Sequence, residues 1–163
     1  MQIKEANNNI LITNLTDLLN GGKAHVTLDD ALKNIQFDLL DKKPGGLPYS
    51  IWQIAEHIRI AQWDILEFSH NEKHKSPKWP DEYWPSENNP RSEIEWEKCI
   101  HQIKKDRQTF IELLKKNQEH LFEPFSYGDG QTLLREALLL ADHTSYHTGE
   151  IIILRRLLNS WGK

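Results

Sequence analysis

The chain has 163 residues, and 20 Lys+Arg against 24 Asp+Glu give it a formal net charge of −4 at pH 7. That length buries a core without disulfides, and the single cysteine, Cys99, permits no internal disulfide and suits a reducing cytoplasm. The mild acidity disfavours a DNA-tracking surface, and the longest aliphatic run, Ile151 to Leu154, falls far short of the roughly 20 residues that span a bilayer.

The N-terminal Met1-Gln2-Ile3-Lys4-Glu5 also lacks the apolar stretch of a secretory signal. The expectation is therefore a soluble cytoplasmic protein, one domain over residues 1–163, binding neither nucleic acid nor membrane. Within the composition, eight histidines stand against the one cysteine.

Helical signals dominate the chain. Ile10, Leu11, Leu15, Leu18 and Leu19 form a helical stripe over residues 10–19, and Asn20-Gly21-Gly22 ends it. Thr27 caps a short second segment with Asp29 and Asp30 in its first turn, fading toward Leu39-Leu40. Ser50 and Gln53 form a capping box that opens a helix running to about His70. Residues 71–91 hold four prolines together with Trp79, Tyr83 and Trp84, which forbids a regular helix. Ser92 and Glu95 read as a second capping box, opening a helix to about Asn117. Thr132 caps the longest helix, about 133–159.

No window alternates as a strand does. The fold class expected is all-α: a four-helix bundle with a long crossover loop and one additional short helix. A 71–91 loop is too long for a hairpin, so the helices it joins run parallel or diagonal. It is either a surface connection anchored by buried Trp79 and Trp84, or a wall over a site at one bundle end.

His143 and His147 are four residues apart on the last helix, so both imidazoles lie on one face and can reach one ion. His57 lies among Ile54, Ile58 and Ala61 and should face inward. Three inward imidazoles are either core residues hydrogen-bonded to neighbours or ligands of a shared divalent cation, which would satisfy all three.

Among the remaining polar residues, Gln53 lies one turn before His57, and Glu150 lies three residues after His147, within reach to orient a ligand. Glu56 and Asp142 each precede a histidine and are rotated about 100° away from it. Asp64 reads as structural, Tyr146 as core or dimer contact, and Cys99 as a small apolar packing residue. His25, His70, His74, His101 and His120 read as solvated.

Ser50-Ile51-Trp52-Gln53-Ile54-Ala55-Glu56-His57-Ile58 resembles the second-helix motif of the DinB-like superfamily. Ala141-Asp142-His143-Thr144-Ser145-Tyr146-His147-Thr148-Gly149-Glu150-Ile151, followed by Arg155-Arg156-Leu157-Leu158, resembles its last-helix motif. Residues 59–64, 130–137 and the Trp/Pro-rich stretch 77–85 are similar to it as well, so the likeness covers nearly the whole chain. The resemblance implies a four-helix bundle, usually a homodimer, with a divalent metal on His57, His143 and His147. Zinc and nickel both accept imidazole.

The resemblance does not imply one reaction. Some relatives are metal-dependent transferases or isomerases that use low-molecular-weight thiols. Three imidazoles with no fourth protein ligand define an open site, which can acidify a bound water or take up a thiolate. The function expected is a metal-dependent thiol S-transferase or hydrolase acting on a small-molecule substrate. The alternative is a non-catalytic metal- or small-ligand-binding stress protein. No residue takes a readable catalytic role, and no thiol-binding motif is readable.

Overall fold

The computed structural model describes residues 2–162. Five α-helices carry the chain: α1 (Gln2–Leu19), α2 (Leu28–Leu32), α3 (Ile51–His70), α4 (Glu93–Lys116) and α5 (Leu133–Leu157). Among the described residues there is no strand, only an isolated bridge between Pro124 and Thr132. The fold is an all-helical bundle of four long helices plus the short α2.

The helix starts follow local chemistry. Ser50 Oγ accepts from Gln53 N–H at 3.2 Å while Gln53 Oε1 accepts from Ser50 N–H at 3.2 Å, a complete capping box. Thr27 and Thr132 cap α2 and α5 through Asp30 N–H and Arg135 N–H. At α4 only half the expected box forms. Ser92 accepts from Glu95 N–H, but the Glu95 carboxylate turns to Arg91 N–H at 2.5 Å. Two bounds differ from the periodicity. α1 begins eight residues before the apolar stripe, and the segment after Thr27 is helical only to Leu32, continuing as a 3-10 turn at Phe37–Leu39.

Two apolar layers stack along the bundle. The first gathers α2 with Ile54 and Ile58 of α3, Trp96, Cys99 and Ile103 of α4, and Ile151 and Leu154 of α5. The second gathers Leu15 and Leu19 of α1 with Ile65 and Leu66, Phe110 and Leu114, and Leu133 and Leu140. The early parts of α3 and α4 share one layer and their late parts the other, so these helices run parallel and α5 antiparallel to both. The 22 residues of 71–92 are therefore a crossover along the bundle. Gln62 Nε2 donates to the Ile103 carbonyl at 2.5 Å across the parallel pair, at the join of the layers.

Candidate metal centre

His57 lies in the first half of α3, and His143 and His147 lie mid-helix in α5, so they meet on the flank these two helices share. The meeting point is the seam between the two layers, not a bundle end. His57 is 1% exposed. One ring nitrogen from each histidine lies within 4.8 Å of the other two. His57 Nε2 and His143 Nε2 are 3.0 Å apart. The three rings meet edge to face, with centroids 4.5–4.8 Å apart.

The outer partners fix two tautomers. His57 Nδ1 lies 2.8 Å from the Tyr83 carbonyl oxygen, which can only accept, so Nδ1 carries the proton. His147 Nδ1 lies 2.6 Å from Glu150 Oε2, and the same logic applies. Each ring therefore turns an unprotonated Nε2 away from its partner. A backbone carbonyl and a carboxylate are the usual outer partners of metal-bound imidazoles. His143 differs, because its Nδ1 is buried and has no partner.

All three rings are held neutral. Burial pushes the His57 imidazole below its ordinary range, against the opposing pull of the Tyr83 carbonyl and Glu150. His143 is pushed down to about 3 by burial and by the neighbouring His147 and His57. His147 is pushed down to about 4 by burial and by His57. A proton on His143 Nε2 can satisfy the His57 lone pair, but a single cation can satisfy three. Neutral, converging imidazoles are the donor set that zinc, nickel and similar divalent ions take. The residues present fit such an ion.

The crossover segment builds the outer wall. Trp84 stacks on His57 with centroids 3.9 Å apart and planes 3° from parallel, and on Tyr49 at 3.8 Å and 10°. Tyr83 Oη donates to Asp64 Oδ2 at 2.5 Å, and Asp64 Oδ1 receives His74 Nε2 at 2.7 Å. Ser50 Oγ adds a bond to the Asn88 carbonyl at 3.0 Å. Of the two sequence alternatives for 71–91, the wall describes this loop, although it covers a flank. Trp79 does not anchor it from within. It is 71% exposed and stands at the rim with its ring inclined to those of His57 and Tyr83.

Two further expectations need correction. His74 is not solvated: its side chain is 7% exposed because a turn at Asn71 carries the chain back over α3 onto Asp64. Of the core and dimer-contact readings of Tyr146 the first does not hold, since it is 65% exposed with its ring nearly perpendicular to that of His147. Gln53 serves the cap of α3. Glu56 holds Arg59 in a two-pronged ion pair. Cys99 is buried against α3, and burial pushes its thiol well up. His25, His70, His101 and His120 are exposed. The sequence marks the aromatic cluster among the prolines but not the place of Tyr83 and Trp84 on His57, nor that of His74 on Asp64.

A cavity of about 440 Å³ opens onto the three histidines. Besides them its walls are Tyr49, Trp79, Trp84, Leu139 and Tyr146, with Asp142 and Glu150. Larger clefts exist, including one of about 590 Å³ between α2 and α4, but among the described residues they hold no convergent ligand set.

Comparison with known proteins agrees with this architecture. The model of the DinB superfamily matches residues 23–151, most of the chain, and includes all three histidines. No curated protein and no solved structure matches. The chain belongs to the DinB superfamily.

Proposed function

We propose that this DinB-superfamily chain is a divalent-metal-dependent enzyme that acts on a small molecule, with His57, His143 and His147 as ligands. One observation carries the reading: His57 and His147 each bind an outer acceptor through Nδ1 and so leave Nε2 unprotonated where the three rings converge. Core histidines need no such shared orientation. A bound zinc or nickel ion would supply Lewis acidity to acidify water or a low-molecular-weight thiol.

The protein's own parts have separate roles. Glu150 and the Tyr83 carbonyl hold two rings in register, and Trp84 prevents His57 from turning. The aromatic walls exclude water from one side of the centre and take up the apolar part of a substrate. Cys99 is out of reach in the α3/α4 core, so any reacting thiol comes with a substrate or cofactor. The exposed Leu139, Ile153 and Leu157 on α5 support a homodimer; a sedimentation mass of one chain at micromolar concentration rejects it.

The test is elemental analysis of protein purified without chelators, together with thermal midpoints before and after Zn²⁺ or Ni²⁺ addition. Bound metal and a raised midpoint are expected, both lost in His57→Ala and His147→Ala. Absence of both rejects the reading. Metal binding without turnover of any electrophile–thiol or hydrolytic substrate supports the non-catalytic alternative.

A further inference from the structure

The charge of the cavity walls selects among substrates. The chain has 20 lysines and arginines, yet among the described residues none lines the cavity over the histidines. The charged side chains that line it among those residues are carboxylates, Asp142 and Glu150. Arg156 of α5 is exposed and outside the cavity lining, and the other arginines of α3 and α5 are engaged elsewhere. Arg59 is paired with Glu56, Arg135 with Glu136, and Arg155 donates to the carbonyls of Ala31, Lys33 and Ser160.

The remaining walls are flat and apolar. Trp79 and Tyr146 stand at the rim, 71% and 65% exposed, on the two sides that the crossover and α5 provide. Asp142 is exposed on α5 between Leu139 and Tyr146. Aromatic faces attract cations and flat apolar groups. A carboxylate at the rim attracts positive charge and repels negative charge, and no described lysine or arginine lines the cavity to offset it.

We propose that this site takes a ligand with a flat apolar body that is uncharged or positively charged beyond its metal-seeking group, with Asp142 setting the charge preference. Carboxylate-bearing thiols are then poor ligands. The inference rests on the metal reading for the placement of the reacting group, while the charge preference belongs to the walls alone.

Three phenylmethanethiols test it: the unsubstituted compound and its para-aminomethyl and para-carboxyl derivatives, which share head and ring and differ in charge. With Co²⁺-loaded protein, thiolate binding is read from the sulfur-to-cobalt absorption band. With metal-free protein, it is read from quenching of tryptophan fluorescence. In both series the carboxyl compound should bind at least tenfold more weakly than the other two, and Asp142→Asn should shrink that gap severalfold.

A carboxyl compound that binds as tightly as the unsubstituted one overturns the proposal. So does a gap that Asp142→Asn leaves unchanged. If no thiol gives the cobalt band while the metal-free series keeps the charge order, the metal reading fails and the wall preference stands.

Discussion

Replacing Tyr83 by Phe removes one oxygen and tests whether the crossover holds a proposed ligand in place. The Tyr83 hydroxyl donates to Asp64 at 2.5 Å, and Asp64 is 8% exposed. A hydrogen bond to a charged acceptor contributes about 1.5–3 kcal/mol. His74 remains on the other carboxylate oxygen, so about 2 kcal/mol is the expected loss. For a chain of this length that lowers the thermal midpoint by about 4–8 °C. The consequence reaches the site because the carbonyl of the same residue holds His57 Nδ1 at 2.8 Å. Loss of an outer partner typically weakens metal binding 10–100-fold; here the partner is loosened and not deleted, so about tenfold is expected. Calorimetry of the metal-free protein gives the first quantity, and Zn²⁺ competition against a chromophoric chelator gives the second. A Tyr83→Phe protein with unchanged midpoint and unchanged affinity would show that the crossover does not position His57.

Three other expectations are more direct. Glu150→Ala should weaken Zn²⁺ binding about 10–100-fold by isothermal titration, and Glu150→Gln less, since an amide oxygen can still accept from His147; equal losses would place the effect in charge instead of orientation. Glu136 is 2% exposed, and burial raises its carboxyl above the ordinary range despite the Arg135 pair. A raised folded-state value means its contribution is fully present below the unfolded value and is lost as pH rises through the folded one. The midpoint of Glu136→Gln relative to the parent should therefore be higher at pH 7 than at pH 4, and a difference that does not change with pH contradicts this. Cys99, with its thiol pushed up by burial, should react with a disulfide reagent only after unfolding; rapid labelling of the native protein at pH 8 would disprove its burial.

Much of the bundle was legible because helix signals are local. The Ser50/Gln53 box, the Thr27 and Thr132 caps and the Gly21-Gly22 stop act over four or five residues and need no tertiary information. The early start of α1 was not legible. Asn7, Asn8 and Asn9 carry no apolar stripe, and Asn8 finds its partner, the Gln118 carbonyl, 110 residues away. The same divide runs through the site. Facing histidines follow from 3.6-residue periodicity, and the short reach from Glu150 to His147 follows from a three-residue spacing. The acceptor on His57 is a backbone carbonyl, which every residue has, so no side-chain pattern could reveal it. His74 illustrates the other limit: a polar residue after a helix looks solvated until the chain doubles back onto a buried carboxylate.

The parallel pairing of α3 and α4 has a consequence for variation among related chains. A chain that finishes α3 at one end must return along the bundle before it can begin α4. The return path is an outer segment that touches the first apolar layer through Trp84. Its tethers are few: His74 and Tyr83 on Asp64, the Tyr83 carbonyl on His57, and Ser50 on Asn88. Between these points the segment supplies Trp79 and Trp84 to the cavity. Its sequence and length can therefore change what the cavity admits, provided that the Tyr83 carbonyl and the Trp84 ring stay on His57. The segment serves as an exchangeable faceplate on a fixed frame, and close relatives that differ there should share the centre and differ in the molecules they bind.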